Sequence, residues 1–576
     1  MNLEKIFPVL SWAKSYSKND LKGDLMAGLT VGVMLIPQGM AYAMIAGLPP
    51  IYGLYASTLP LILYALMGTS RQLAVGPVAM VSLLTAAGIG TIAEAGTETY
   101  LTLAITLAFM VGMIQFLLGL FRLGFLVNFL SHPVISGFTS AAALIIGLSQ
   151  LKHLLGIDIP RSHHIHEIII HAIEQAGQIN WMTFIIGLGG IFIIKGVKKI
   201  HPSIPGPLVT VVVGIAVVAG FGLADQGVKI VGEVPQGLPG LSSPDVSMAT
   251  LKSLFPIALA ISLVSFMESI AVAKAIQNKH KNYQVIPNQE LIALGVANIG
   301  ASFFQSYPTT GGFSRTAVND QAGAKTGLAS IISALLIVLT LLFLTPLFYY
   351  LPKAILASVI MVAVFGLIDL KEAKHLWHAD RTDFWMLVVT FAGTLVFGIE
   401  QGIGLGVVLS LSMVILRTTR PHMAELGKVP DTIFYRNVGR FQQVEKRPDL
   451  LIVRFDSQLY FANISFFKET LNEWAEKKGD ALDTIIINAE SISKVDSSAI
   501  HALEELINEY RSKGIDILFT GVIGPVRDAF NRGHLIDKIG EENCFMSVQG
   551  AVDYVDRHHK KVDAFKEYTL QANGQI

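Results

Sequence analysis

Residues 309–320 read Thr-Thr-Gly-Gly-Phe-Ser-Arg-Thr-Ala-Val-Asn-Asp, a run whose residue types suit an anion. The two glycines let the backbone turn and approach a ligand. A helix starting at about Phe313 or Ser314 points its unpaired N–H groups, and roughly half a positive charge, back toward Gly312. Arg315 adds a full charge beside them. A matching terminus follows Ala74-Val75-Gly76-Pro77. Two such termini facing each other form an anion cradle built mostly from backbone. The same patterns also suit ordinary helix starts, with Pro in the first turn. Arg315 could also be a surface anchor near Lys325.

Glu268 stands among small and apolar residues, Ser265–Ala273. An ionisable residue inside a membrane is costly and marks a functional site unless it is paired. A carboxylate taken out of water favours its protonated form, and a neighbouring anion adds like-charge repulsion. Proton and anion would then assist each other's binding, which is symport in outline. A salt bridge to Arg315 would oppose this, and a structural pair with Lys274 would remove it. Gln38 and Tyr42 lie one helical turn apart in Pro37-Gln-Gly-Met-Ala-Tyr42, where Pro37 and Gly39 can break the helix. Gln38 can donate to an oxyanion; both residues could instead serve helix packing. His163, His164 and His166 fall on an expected outer loop, and a solvated loop explains them without a metal. No phosphate-binding loop, dinucleotide fingerprint or HExxH motif occurs, so no cofactor and no enzyme chemistry is indicated.

The elements that carry these residues are membrane segments. The chain has 576 residues, 52% hydrophobic and 15% charged. Residues 1–420 hold 43 charged residues and 421–576 hold another 43, so the first part is about one-tenth charged and the second is near the soluble norm. The expected division is a cytoplasmic stretch 1–23, a membrane domain 24–420 and a soluble domain 421–576. Net charge is zero and no long basic tract suggests nucleic acid. The single cysteine, Cys544, permits no internal disulfide. No removable leader is read in residues 1–24.

A span needs about 20 mostly apolar residues. Clear runs are Leu101–Leu120, Phe125–Leu148, Trp181–Ile194, Pro207–Leu223, Leu254–Ala273, Leu328–Leu344, Ile355–Leu370, Phe384–Phe397 and Ile403–Leu416. Runs interrupted by Gly or Pro are Leu25–Ala46, Tyr52–Met67, Gly76–Thr91, Leu291–Phe304 and Ser314–Thr326. These fourteen segments put both termini on one side. With that side cytoplasmic, the inner loops collect most Lys and Arg, from Lys5, Lys14, Lys18 and Lys22 to Arg417 and Arg420. The outer loops keep only Lys152, Arg161, Lys229, Lys252 and Lys353. The broken third and tenth segments are seven apart. Interrupted segments at matching places in two halves point to a transporter's binding site, and an odd number of spans per half makes the repeats inverted.

The tail alternates short β-branched runs, Leu450–Phe455, Thr484–Ile487 and Ile515–Phe519, with amphipathic stretches Ser465–Lys477 and Ser497–Arg511. That pattern predicts a small α/β domain.

The stretch Pro37–Tyr55, continued by Gly68-Thr-Ser-Arg-Gln-Leu-Ala-Val-Gly-Pro77, resembles the signature of the sulfate permease (SulP) anion transporters, and Thr310–Asp320 resembles their tenth segment. The tail resembles their STAS domain through Leu459-Tyr-Phe-Ala-Asn463 and Val495-Asp-Ser-Ser498. The resemblance implies an α-helical membrane protein of fourteen segments in two inverted repeats of seven, divided into core and gate domains, with a cytoplasmic STAS domain. It implies an anion held between segments three and ten, lined by Gln38, Tyr42, Ala74, Val75, Gly76, Gly312, Phe313, Ser314 and Arg315. It makes Glu268 the proton-coupling acid, although sodium-coupled members are expected to use a carboxylate in the same segment. It further implies elevator-like transport, a homodimer in the lipid bilayer, and the plasma membrane, or the inner membrane in a bacterium. The implied function is sulfate:proton symport. Bicarbonate or dicarboxylate transport, anion exchange, a channel, or signalling through the tail are the alternatives. Ser498 occupies the slot that is phosphorylated in related domains, but Ala499 replaces the usual glycine; a plain helix cap at Asp496 or Ser497 is the favoured explanation of the motif, with a regulatory or dimer-contact role for the domain.

Overall fold

The structure is a computed structural model that describes residues 7–125, 131–159, 165–200, 205–281, 283–366, 368–558 and 566–569. Lys5, Arg161, His163 and His164 lie outside the described residues. The chain forms two compact units, Met1–Leu411 and Ser412–Ile576.

The helices up to Thr419 realise the fourteen segments, the last of them running past the end of the first unit. Segment 1 is Lys18–Ile45, started by a reciprocal capping box between Ser17 and Asp20. Segment 2 is split into Pro50–Tyr55 and Leu59–Met67. Segment 3 is a two-residue strand β1, Val75–Gly76, followed by helix Ala79–Gly90. Segments 4 to 9 are Glu98–Leu120, His132–Ser149, Trp181–Ile200, Gly206–Phe221, Met248–His280 and Pro287–Ser302. Segment 10 is strand β2, Thr310–Gly311, followed by helix Phe313–Gln321. Segment 11 begins as helix Leu328–Leu339 and continues through a π turn and a 3-10 turn to Phe348. Segments 12 to 14 are Lys353–Phe365, Arg381–Phe397 and Ile399–Thr419.

Segment 1 corrects one expectation. The helix runs through Pro37 and Gly39 without a break. A proline inside a helix costs about 3 kcal/mol, so packing must offset it. Gly39 serves that packing: a Cβ on Gly53 would lie 1.8 Å from the Gly39 carbonyl oxygen. The glycine pair brings segments 1 and 2 into backbone contact.

Packing repeats at a shift of seven. Segment 1 packs on 11 as 8 packs on 4; 2 on 11 as 9 on 4; 13 on 5 as 6 on 12; 10 on 1 as 3 on 8. Segments 2 and 9, and 3 and 10, are each other's counterparts and touch directly. Strands β1 and β2 pair antiparallel, Val75 with Gly311 and Gly76 with Thr310, so the two repeats are inverted. Segments 1–4 and 8–11 pack as one group, and 5–7 pack with 12 and 13; segment 14 meets the start of segment 5, where Ser131 N–H donates to Ser410 Oγ at 2.8 Å.

The second unit is a mixed sheet. Its strands are β3 (Met423–Lys428), β4 (Tyr435–Asn437), β5 (Gln443–Lys446), β6 (Leu450–Phe455), β7 (Thr484–Asn488), β8 (Asp516–Thr520), β9 (Cys544–Phe545) and β10 (Lys566–Thr569). The order is β10-β5-β3-β6-β7-β8-β9, with β4 beside β3, and β6 to β9 run parallel. Alternate residues of the parallel strands face opposite sides. Leu451, Val453, Ile485, Ile487, Ile517 and Phe519 pack with helices Ile464–Lys478 and Ser497–Ser512. Leu450, Ile452, Ile486 and Leu518 pack with helix Val548–His558. Both faces are covered, which is why these strands read as continuous apolar runs.

Candidate functional site

A membrane interior offers no water to unpaired backbone, so a broken helix survives there only if protein satisfies its N–H and C=O groups. The third and tenth segments satisfy each other through β1 and β2. Gly312 N–H donates to the Ala74 carbonyl at 3.0 Å, and Ala74 N–H donates to Thr316 Oγ1 at 3.0 Å. Gly76 has φ of +151°, a conformation other residues avoid. Behind β2, Thr310 donates to the Ser265 carbonyl at 2.7 Å, and Gly311 N–H donates to Ser269 Oγ at 2.9 Å. Asn298 accepts from Thr309 N–H at 2.8 Å and donates to the Thr309 carbonyl at 3.0 Å. Gln115 links Asn298 to Ser265.

The helices that follow these strands both lack a side-chain cap. Val78 precedes one and Gly312 the other, and neither offers a side-chain acceptor. The helix in segment 10 starts at Phe313, as the sequence suggests; the one in segment 3 starts at Ala79, three residues after Gly76. Two uncapped N-termini therefore approach the strand crossing from opposite directions, each with unpaired donors and a positive end.

Arg315 lies at this crossing, 2% exposed, so it is not a surface anchor. Its Nη1 donates to the Pro77 carbonyl in segment 3. Its Nε and Nη2 are buried and have no hydrogen-bond partner among the described residues. A Cβ on Gly312 would lie 2.9 Å from Nη2, and one on Gly76 would lie 3.4 Å from it, so the glycines make room for the guanidinium. Arg315 interacts electrostatically with Tyr42, Glu268 and Tyr307. Gln38 and Tyr42 are both buried, and Gln38 Oε1 has no hydrogen-bond partner among the described residues. Ala74 and Val75 are buried in the strand crossing itself.

Glu268 is half-buried, makes no ion pair with Lys274 or Arg315 among the described residues, and leaves Oε2 without a hydrogen bond. Together with Phe313 it lines a cavity of about 260 Å³, whose other walls include Met80, Met267, His132, Val134 and Phe138. Phe313 is 59% exposed toward that space. Ser314 is exposed in the same first helical turn and is not part of the cavity wall. The structure thus brings Tyr42, Glu268 and Arg315 within electrostatic reach of one another at the paired broken segments, with Gln38 buried one helical turn before Tyr42.

Several supporting residues escape a reading for charge and motif. Ser269, Asn298 and Tyr307 carry no motif; their signal is polarity beside apolar runs, and Thr316 sits in the Thr310–Asp320 motif without its role being marked. Glu290 is also buried. It accepts from Tyr64 at 2.6 Å and from Thr69 N–H and Oγ1, both at 2.6 Å, which ties segment 9 to the end of segment 2. In the second unit, Asp496 caps helix Ser497–Ser512 by accepting from Ala499 N–H at 2.9 Å. Ser498 is exposed in that first turn. Leu459 bridges Val495, and Phe461 N–H donates to Asp496 at 3.0 Å, so the two tail motifs meet.

Inverted repeats meeting at two interrupted segments define a multi-pass membrane transporter. The chain belongs to the sulfate permease family, which matches residues 21–390, and it carries a STAS domain matched over residues 442–551. It is 42% identical over 568 residues to "Sulfate transporter 4.1, chloroplastic" of Arabidopsis thaliana, covering 96% of this chain and 82% of that protein. It is 36% identical over 574 residues to "High affinity sulfate transporter 2" of Stylosanthes hamata, covering 96% and 86%. Among solved structures, the murine Slc26a9 anion transporter in the inward-facing state superposes with a TM-score of 0.89 at 29% identity, covering 96% of this chain and 94% of that one. The transmembrane domain of the cyanobacterial bicarbonate transporter BicA shares the fold, with a TM-score of 0.60 at 23% identity over 69% of this chain and 98% of that one.

Proposed function

We propose that this protein is a secondary transporter of an inorganic oxyanion, sulfate in first place, coupled to protons. The observation that carries the proposal is the buried Arg315, with two donors that have no partner among the described residues where two uncapped helix N-termini meet. A dianion with oxygens on all sides matches donors that converge from opposite directions. Gln38 and Tyr42 close the site from segment 1, and Ala74, Val75, Gly76, Gly312, Phe313 and Ser314 form its backbone walls. Relatives named as sulfate transporters along nearly the whole chain support sulfate over other oxyanions.

Glu268 is the proposed coupling group. It borders a cavity that Phe313, the first residue of the segment 10 helix, also lines, and it makes no ion pair among the described residues, so it can exchange a proton with that space. Protonation removes a negative charge beside the arriving anion, so each ligand favours the other. The division into segments 1–4 with 8–11 and segments 5–7 with 12–14 suits an elevator, in which the first group carries the site past the second. With both termini cytoplasmic, as the positive loops suggest, segment 5 enters from the cytoplasm at His132, and the cavity opens inward. A homodimer in the plasma membrane, or in the inner membrane of a bacterium, completes this reading. The STAS unit is assigned a regulatory or dimer-contact role, with Ser498 as its candidate phosphorylation site.

The test is radiolabelled sulfate uptake into proteoliposomes under an inward proton gradient, an inward sodium gradient, or neither. Uphill uptake with protons alone is the expected result. Uptake driven by sodium, or no sulfate uptake with strong bicarbonate or dicarboxylate uptake, would overturn it.

A further inference from the structure

The second unit carries a cluster of cations that the transport site does not use. His422, Arg436, Arg440 and Arg454 line an open cavity of about 510 Å³ with Asn437, Phe441 and Asp456. His422 immediately precedes β3, Arg436 and Asn437 lie on β4, Arg440 and Phe441 follow in the turn before β5, and Arg454 and Asp456 end β6. Adjacent strands bring them together: β3 pairs with both β4 and β6.

The charges are unequal. Asp456 is the one carboxylate lining the cavity, and it is already engaged. It accepts from Arg454 Nε at 2.6 Å and from Nη2 at 2.9 Å, and it pairs with His422 at 2.8 Å. That contact fixes Arg454 and His422 in place and neutralises one positive charge. Arg436 and Arg440 are exposed, and neither has an ion-pair partner among the described residues. Arg436 instead lies over the Phe434 ring, 5.7 Å from its centre. Two guanidinium groups aimed at one open cavity, backed by a third, form a phosphate-binding set.

A second observation concerns what flanks the cavity. Ile433, Phe434 and Phe441 are 69%, 56% and 46% exposed. A soluble phosphate makes no use of these apolar side chains, whereas a membrane interface does. The chain reaches His422 three residues after the last membrane helix ends at Thr419, with Arg417 and Arg420 at that end. Basic residues just beyond a membrane helix attract anionic lipid, each contributing about 1 kcal/mol.

We propose that this cavity binds the phosphate of an anionic phospholipid headgroup, held by Arg436 and Arg440 with Arg454 behind them, while Ile433, Phe434 and Phe441 enter the interface. The site is independent of the transported anion and ties the STAS unit to the composition of the membrane surface.

The test is hydrogen exchange at residues 431–441 of the full-length protein in nanodiscs. Three conditions are compared: phosphatidylcholine alone, phosphatidylcholine with phosphatidylglycerol, and phosphatidylcholine with added inorganic phosphate. The expected result is slowed exchange only with phosphatidylglycerol. In the double variant Arg436→Gln/Arg440→Gln the slowing should fall at least about fivefold. Unchanged exchange in β7 and β8 would show that the variant is folded. Equal slowing with inorganic phosphate would overturn the lipid assignment in favour of a soluble phosphate. No slowing in any condition, or slowing that survives in the double variant, would overturn the site.

Discussion

One nitrogen of Arg315 is bonded to the main-chain carbonyl of Pro77, and the other two have no hydrogen-bond partner among the described residues. A single side chain in segment 10 thereby anchors on segment 3 and still presents two donors at the crossing of the repeats. The arrangement orients the charge before any ligand arrives, which lowers the ordering cost of binding.

Arg315→Ala should weaken sulfate binding about ten- to a hundredfold, the worth of charge-assisted hydrogen bonds at about 1.5–3 kcal/mol. Arg315→Lys should recover little, because a lysine cannot hold Pro77 and present two further planar donors. Equilibrium binding of labelled sulfate to the purified variants checks this. Wild-type affinity in Arg315→Ala would remove the residue from the site.

Glu268→Gln should keep sulfate binding measurable and abolish the response to a proton gradient. The amide has nearly the carboxyl's shape but no proton to exchange, so downhill sulfate exchange should persist while uphill uptake stops. Paired exchange and gradient-driven uptake in proteoliposomes measure both. Uphill proton-driven uptake by the variant would place coupling elsewhere.

Gly312→Ala adds a methyl 2.9 Å from Arg315 Nη2. The chain should fold and reach the membrane, since a Cβ at this position meets a side chain and not backbone, but the displaced guanidinium should raise the KM for sulfate. Uptake kinetics beside a surface-expression measurement separate the two effects.

Asn298→Ala leaves the Thr309 N–H and C=O without their partner in a buried setting. Each such orphan costs about 1–3 kcal/mol. The β1–β2 crossing should loosen, seen as a lower melting temperature of the full-length protein together with loss of transport. A variant with unchanged melting would show that β2 does not depend on Asn298.

In the STAS unit, burial alone would raise the Asp456 carboxyl, but the Arg454 guanidinium and His422 outweigh it and hold the group below the usual carboxylate range. A carboxyl lowered in the folded state stabilises it at pH values above its unfolded pKa of about 3.9 and loses that contribution as pH falls through the lowered value. Asp456→Asn should therefore speed hydrogen exchange in β3 and β6 at neutral pH, and the gap from the wild type should close in acid. Equal exchange at neutral pH would show that the ion pair contributes nothing.

Much of this was legible from spacing. The Gly311-Gly312 pair before Phe313 and Gly76-Pro77, seven segments apart, already pointed to the crossing, because interrupted segments at matching places in two halves mark a binding site. Arg315 and Glu268 stood out because charge is rare in such runs. Pro37 and Gly39 misled, since the close approach of Gly39 to Gly53, for which that glycine is needed, is a tertiary fact. Asn298, Ser269 and Thr316 were not legible: neutral polar residues in a membrane helix look alike until their partners are known. In the tail, the parallel strands were plain as apolar runs covered on both faces. The short antiparallel strands β3 to β5 were not, because half-exposed edges carry mixed residues.

The central claim is that the anion lies between the two helix N-termini against Arg315. Crystals grown with selenate, a sulfate isostere with an anomalous signal, test it most directly. The account predicts an anomalous peak within hydrogen-bond distance of Arg315 Nε or Nη2 and of the first turn of helix Phe313–Gln321, and no peak there in Arg315→Ala. A selenate peak elsewhere in the membrane domain, with Arg315 untouched, would contradict it.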